Sequence, residues 1–377
     1  MRGFKNVKAY LYGEGIVQTD IAFDNGVITQ IGKDLPIDEV IECKGLVIPG
    51  FVDRHIHGAG GSDGMDGTQA DIATIAGNIV KEGTTTFLVT TMTQSEENIT
   101  KALNAVRDYK REGGAKVGGV HLEGPFIATK FKGAQPEEYI LKPNVEVMKK
   151  FNDASGNTIK VVSLAPEQEG ADGLIAYLKA NNIVASIGHT QAGFKDVKGA
   201  VEMGASSVTH TYNAQTPLHH REAGVVGSAM LIDELYTEII CDLIHVCKEA
   251  IMLVVKNKPD DKVILITDSM RAKHLPDGES ELGGQKVIVK NGEARLIDGT
   301  LAGSVLKMNE ALKNIVTVVG VPLEKAIDFA TANPAKSIGI FDKVGSIAVG
   351  KRADFAVLDD DFKVLTTIVD GKVEYTA

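Results

Sequence analysis

Phe51-Val52-Asp53-Arg54-His55-Ile56-His57 is the stretch on which the reading turns. Residues 51–55 make a candidate strand. In extended chain, residues i and i+2 point to the same side, so His55 and His57 can face one point. Seven more apolar runs follow, at residues 85–89, 117–122, 159–164, 184–188, 207–210, 238–241 and 263–267. Helical stretches at 70–81, 96–110, 173–180 and 248–256 fall between them, and Ser95 ahead of Glu97 and Asn98 is a helix-start signal. Eight strands alternating with helices predict an α/β fold, a (β/α)8 TIM-like barrel, with two further helices over 304–319 and 323–330 outside it. A doubly wound open sheet is the competing arrangement, but no GxGxxG turn follows a predicted strand.

On either side of this core the pattern changes. Residues 7–12, 15–23, 27–31 and 40–42 are β-rich, and Asn25-Gly26 between two of these runs is a hairpin signal. Residues 354–358 and 364–369, then Gly371-Lys372-Val373, repeat the style at the other end. The expectation is one small β-sandwich domain built from both termini, residues 1–49 and 345–377, beside a barrel domain with C-terminal helices over 50–344.

Composition narrows the function. The 377 residues are 44% apolar and 24% charged, an ordinary globular balance. Fifty acidic against forty basic residues leave a net charge of −10, which argues against a nucleic acid or an anionic membrane as the main partner. Cys43, Cys241 and Cys247 are odd in number and lack CxxC spacing, so neither a disulfide framework nor a cysteine-rich zinc site is expected. Met1-Arg2-Gly3-Phe4-Lys5 leads into no leader-like apolar region, and no run approaches the roughly 18 apolar residues of a membrane helix. A soluble, cytoplasmic protein is expected.

Barrel enzymes place their chemistry at the C-terminal ends of the strands. Those ends read His55-Ile56-His57, His121-Leu122-Glu123-Gly124-Pro125, Gly188-His189-Thr190, Thr209-His210-Thr211-Tyr212-Asn213 and Thr267-Asp268-Ser269. Each has a bland explanation alone. A single strand-end histidine usually packs or sits at the surface, HxH is a weak signal, and Asp268 could cap a turn. Together they put two carboxylates and several imidazoles at one mouth, where desolvation would be costly without a ligand. Imidazole and carboxylate suit a borderline cation such as zinc, which ionises a water near neutral pH and polarises a carbonyl. Asp268, with no histidine beside it in sequence, is placed to take the proton and return it to a leaving amine. The residues by themselves lead to metal-dependent hydrolysis of an amide or similar bond.

Pro49-Gly50-Phe51-Val52-Asp53-Arg54-His55-Ile56-His57-Gly58, the two-ended β-domain and the aspartate closing strand eight resemble the amidohydrolase superfamily. His121-Leu122-Glu123-Gly124-Pro125-Phe126, Gly188-His189-Thr190, Thr209-His210-Thr211-Tyr212-Asn213-Ala214, His220-Arg221-Glu222 and Leu301-Ala302-Gly303-Ser304 are similar to one family within it, the N-acetylglucosamine-6-phosphate deacetylases. The resemblance spans essentially the whole chain. It implies hydrolysis of N-acetylglucosamine 6-phosphate to glucosamine 6-phosphate and acetate, in amino-sugar catabolism. It also implies Glu123, His189 and His210 as ligands of the principal divalent metal, zinc first and iron as the alternative. Many superfamily members bridge two metals with a carboxylated lysine from strand four. Here that strand ends in Ser163-Leu164-Ala165-Pro166, and Glu123 takes the bridging place. His55 and His57, variable in the family, are present and imply a second ion.

The resemblance further implies Ala134, Asn213, Ala214, Arg221, His245, Leu301, Ala302 and Gly303 around the sugar phosphate. Arg221 offers a guanidinium fork to the phosphate. His245 acts catalytically, donating a hydrogen bond to the acetyl oxygen as charge develops there. Where the family's common pattern has a histidine after Ala134, this chain has Gln135. A homodimer is implied, with His219 or His220 reaching the partner's phosphate. Deacetylation of N-acetylgalactosamine 6-phosphate would use the same metal site and differ only in hydroxyl contacts. A cyclic-amide hydrolase of the dihydroorotase kind expects the missing lysine, and a catalytically dead binding protein would have lost ligands that are all present here.

Overall fold

The computed structural model describes residues 1–377. Eight parallel strands, β1 (Phe51–Ile56), β2 (Thr84–Thr90), β3 (Lys116–Glu123), β4 (Ile159–Leu164), β5 (Val184–Ile187), β6 (Ser207–Val208), β7 (Tyr236–Ile240) and β8 (Val263–Ile266), pair in sequential order. Each matches one of the eight predicted runs. The seam between β8 and β1 is stitched rather than laddered. Asp268 donates its backbone N–H to His55 O (2.8 Å), His57 donates to Ser269 O (2.9 Å), and the Thr267 hydroxyl donates to Asp53 Oδ2 (2.5 Å). Sequential order plus this seam makes a TIM-like barrel and rules out the open doubly wound sheet.

Strands covered on both faces must be apolar or satisfied throughout. All seven residues of β2 are buried. The helices supply the outer layer with one apolar stripe each. In Glu96–Asp108 the buried residues Ile99, Ala102, Leu103 and Val106 recur at helical spacing, and the Ser95 hydroxyl caps the start by accepting from Asn98 N (3.2 Å). The barrel interior is partly polar. His121 Nε2 meets the Ser163 hydroxyl (2.7 Å), which meets Thr209 Oγ1 (2.7 Å), which meets Ser186 Oγ (2.6 Å). Every member of this chain is buried and partnered, so none of its hydroxyls is left unpaired.

The terminal strands join in one eight-stranded sheet. Leu46–Pro49 lies parallel to Arg2–Leu11 on one side and antiparallel to Phe355–Leu358 on the other, so the two ends of the chain meet there. The ring centroids of Phe23 and Phe355 are 5.6 Å apart although their strands are three steps apart in the sheet. Flat, three steps would span roughly 14 Å. The sheet therefore curls over itself into a sandwich-like layer around Phe4, Phe23 and Phe355. Asn25 and Gly26, at φ 47° and 79°, form the hairpin that their dipeptide predicts.

Two sequence expectations are corrected. The predicted strand at 40–42 is a two-residue strand, Glu39–Val40, and the longer strand in this region is Leu46–Pro49. The predicted helix over 304–319 starts only at Met308, because Ser304 ends a strand. That strand closes a four-stranded antiparallel sheet, Gly278–Leu282, Gln285–Lys290, Glu293–Leu296 and Leu301–Ser304, inserted after β8. Its tight turns, Gly283-Gly284 and Asn291-Gly292, have positive φ at both residues, the backbone that such dipeptides favour. The two turns carry the sequence signal that would have revealed the sheet. No helix is long and apolar enough to cross a membrane.

The segment after β8 is pinned to the barrel wall by a buried ion pair. Lys273 Nζ lies 2.6 Å from Glu82 Oε1, both side chains fully buried, with His274 Nε2 3.3 Å from the other oxygen. Burial alone would raise the Glu82 carboxyl, but Lys273 and His274 hold it below its ordinary value. Lys273→Met leaves a buried carboxylate facing only His274 and is expected to lower the unfolding free energy by about 3–5 kcal/mol, as read from urea unfolding. The Lys273→Met/Glu82→Leu double variant should recover most of that loss.

Candidate active site

Glu123, the last residue of β3, is the point of convergence. Its Oε1 lies 3.0 Å from His210 Nε2, 3.3 Å from His189 Nε2 and 3.4 Å from His55 Nε2. Its Oε2 lies 3.2 Å from His57 Nε2 and accepts from the Gln135 amide at 3.0 Å. Asp268 Oδ1 is 3.4 Å from His55 Nε2 and 3.2 Å from His57 Nε2. Of these seven side chains, that of Asp268 is 11% exposed and the other six are nearly or wholly buried.

Backbone geometry delivers three of them. His189, His210 and Asp268 each turn out of their strand end at positive φ, 48°, 28° and 47°. Non-glycine residues rarely adopt this region, and such strain collects at functional sites. Gly303, at φ 63°, lets Leu301–Ser304 run close beside Asp268: a Cβ there would sit 3.1 Å from Asp268 O. Ser304 donates to Asp268 O (2.8 Å) and accepts from Met270 N (2.9 Å), which ties the inserted sheet to the end of β8.

The imidazoles are oriented from behind. His189 Nδ1 meets Phe131 O at 3.0 Å, so that nitrogen carries the hydrogen and Nε2 turns a lone pair inward. His55 Nδ1 meets Glu238 Oε2 at 3.1 Å, with the same result. His189 Nε2 and His210 Nε2 stand 3.0 Å apart, and His55 Nε2, His57 Nδ1 and His210 Nδ1 are buried without a hydrogen-bond partner. Ring nitrogens aimed at one another and at a shared carboxylate are poor hydrogen bonding but good ligation. Three groups have ligand atoms within 4.8 Å of one another; besides His55 with His121 and Glu238, they are Glu123 with His189 and His210, and His55 with His57 and Asp268. The latter two sets, imidazole and carboxylate, fit a divalent cation.

The electrostatics agree. Burial alone raises a carboxyl, but the neighbouring His55, His189 and His210 hold Glu123 well below the carboxylate range. Asp268 is held down against burial by His55 and His57. Burial opposes charge on the rings, yet Asp268 and Glu123 push His57 up to about 10 and raise His55 as well. Two ionised carboxylates here demand positive charge.

A cavity opens above these groups. Ala134, Asn213, Ala214, His245, Leu301 and Gly303 line it together with His57, Glu123, His189, His210 and Asp268. Along the strand Leu301–Ser304, Leu301 and Gly303 face the cavity, whereas Ala302, one residue out of step, is buried against Met92, Met270 and Leu282. Arg221 stands outside the cavity, exposed, with its guanidinium 2.6 Å from His220 Nε2. His219 and His220 share that exposed loop, their rings 4.1 Å apart.

The model of the amidohydrolase family matches residues 46–373. The chain belongs to the amidohydrolase family. Among its relatives, the N-acetylglucosamine-6-phosphate deacetylase of Bacillus subtilis (strain 168) is 40% identical, over 98% of this chain and 96% of its own. The N-acetylgalactosamine-6-phosphate deacetylase of Escherichia coli O157:H7 is 34% identical, over 93% of each. The crystal structure of N-acetylglucosamine-6-phosphate deacetylase from Thermotoga maritima matches with a TM-score of 0.91 at 35% identity, covering all of both chains.

Two residues of this amidohydrolase site escaped the sequence reading. Glu238, in β7, takes Arg54 Nε on Oε1 (2.7 Å), and on Oε2 it takes His55 Nδ1 and the His210 backbone N–H (3.1 Å each). Arg54 is itself wholly buried and bonds Ser337 and Ser207 at 2.7 Å each. The signal was two charged residues inside strands that are otherwise apolar. Gln135, noted only as a departure from a pattern, spans Thr93 N (2.7 Å, on its oxygen) and Glu123 Oε2. Because Thr93 N–H can only donate, the amide nitrogen must face Glu123. In this amidohydrolase, Glu238→Gln is expected to weaken divalent-metal affinity about 10–100-fold with the fold retained, measured by competition with a chromophoric chelator alongside far-UV circular dichroism.

Proposed function

We propose that the chain hydrolyses the acetamide of N-acetylglucosamine 6-phosphate to glucosamine 6-phosphate and acetate, a step of amino-sugar catabolism. One observation carries the reading. The groups required for amide hydrolysis converge in a single cavity, in a chain 40% identical over nearly its full length to a deacetylase acting on that sugar. The lower identity to the N-acetylgalactosamine 6-phosphate enzyme puts the galacto substrate second.

In this reading Glu123, His189 and His210 hold one divalent ion, and His55 and His57, with Glu123 and Asp268, hold a second. Zinc is the ion proposed, with iron as the alternative. Such an ion supplies Lewis acidity: it polarises the acetyl carbonyl and lowers the pKa of water. Asp268 accepts the proton of the attacking water through its carboxylate. As the C–N bond breaks, it delivers that proton to the departing sugar nitrogen. His245 donates a hydrogen bond to the acetyl oxygen. Asn213 and Ala214, three and four residues beyond His210, meet the sugar, as do Ala134 and the Leu301-Ala302-Gly303 backbone.

Arg221 takes the phosphate in this reading, and its place outside the cavity suits the distal end of the substrate. Leu218 and Leu231, 56% and 67% exposed, flank that loop and support a homodimer interface there. A cytoplasmic location fits a phosphorylated sugar substrate. The division into a small β domain (1–49 and 345–377) and a hydrolase barrel (50–344) belongs to the same proposal.

Acetate release from a panel of N-acetylated hexosamines, with and without the 6-phosphate and before and after chelation, tests the activity. The gluco 6-phosphate should be preferred and chelation should abolish turnover. Arg221→Ala should raise KM for the phosphorylated sugar while sparing the unphosphorylated one. Asp268→Asn should retain the fold and lose about 10²–10⁴-fold in kcat, measured by steady-state kinetics.

A further inference from the structure

His245 sits in the loop after β7 and faces the cavity. Asp242 holds it with both oxygens. Asp242 Oδ1 accepts the backbone N–H groups of Ile244 (2.9 Å) and His245 (2.8 Å), while Oδ2 lies 2.6 Å from His245 Nδ1. Leu243 between them is at φ 65°, so the loop is bent out of its ordinary range to make this clasp. The two side chains are only 5% and 7% exposed, which leaves little room for water to replace either partner.

An ionised carboxylate can only accept, so Nδ1 must carry a hydrogen. A neutral ring then has a bare lone pair at Nε2, the nitrogen left for substrate. We propose that Asp242 is a positioning residue that confines the proton of neutral His245 to Nδ1, so that His245 can donate to the acetyl oxygen only as an imidazolium. The proposal rests on the deacetylase reading and adds to it the charge state in which His245 works. The ionisable groups facing His245 are Asp242 from its own loop and, around the cavity, Glu123, Asp268, His57, His189 and His210. An imidazolium paired with Asp242 adds a positive donor where oxygen gains negative charge, a stronger interaction than a neutral N–H would make.

Asp242→Asn separates this from a merely structural role. The two backbone N–H groups can only donate, so they keep the oxygen of the substituted side chain where Oδ1 was, and its amide nitrogen must face His245 Nδ1. The ring then accepts at Nδ1 and carries its hydrogen on Nε2 when neutral. In the wild type, kcat/KM should fall about tenfold per pH unit above the ionisation of His245, because the donor is lost with the proton. In Asp242→Asn that alkaline limb should vanish. Its kcat at the optimum should be about 10–100-fold lower because the donor is now neutral, with metal content unchanged. An identical alkaline limb in both proteins would overturn the proposal.

The second measurement needs neither substrate nor variant. Nitrogen-15 NMR of the histidine-labelled wild-type holoenzyme should show neutral His245 protonated at Nδ1, and protonation at Nε2 would overturn the proposal. If no acetylated sugar is turned over, the deacetylase reading falls and the proposed donor role with it. The NMR result would still decide, independently of turnover, whether the clasp fixes the tautomer.

Discussion

A buried carboxylate surrounded by imidazoles is the constraint on which the mouth of the barrel depends. Glu123 has four ring nitrogens within 3.4 Å. Taking that many ionisable groups out of water is costly unless their charges and lone pairs are answered locally. Each neighbouring feature answers one of them: Gln135 on Oε2, Phe131 O behind His189, Glu238 behind His55. A cation held by Glu123 and the rings would complete the balance, since it would satisfy the inward lone pairs that no protein donor reaches.

The next layer out shows how rigidity is achieved. Arg54 and Glu238 are a wholly buried pair, and such pairs seldom add net stability over an apolar packing of the same size. Their geometry suggests a different use. Glu238 touches His55 through its ring and His210 through its backbone, so one side chain sets two candidate ligands that lie on different strands. Arg54, itself bonded to Ser207 and Ser337, donates to Glu238 Oε1 at 2.7 Å. The hydroxyl chain from His121 to Ser186 provides a satisfied polar floor beneath them.

The inserted sheet serves the cavity rather than the barrel. It attaches at Asp268 through Ser304, and the Gln285 amide donates to Ala134 O at 2.5 Å, so it joins two edges of the mouth. Strand alternation then sorts Leu301 and Gly303 to the cavity and Ala302 to a small apolar cluster. With no strand predicted over 278–303 and a helix expected from 304, that sorting is not visible in the sequence. The Gly-Gly and Asn-Gly turns that announce the sheet lie in a stretch whose strands are short and half exposed, so their apolar alternation is weak.

Local chemistry determined what was legible in advance. Eight apolar runs with helices between them, the Asn25-Gly26 hairpin, the Ser95 cap, and the strand-end residues His55, His57, Glu123, His189, His210 and Asp268 depend on neighbours a few residues away. Residue type and spacing therefore expose them. Tertiary structure alone decided the rest: which carboxylate stands behind which ring, that Glu238 and Arg54 serve the site, that Gln135 grips Glu123, and that Arg221 lies outside the cavity. Those facts depend on segments far apart in the chain. Glu238 lies 183 residues from His55, and nothing in either segment's own pattern reveals their meeting. Only closure of the barrel, which brings strand ends to a common mouth, creates the contact and with it the demand for charge that gives the site its chemistry.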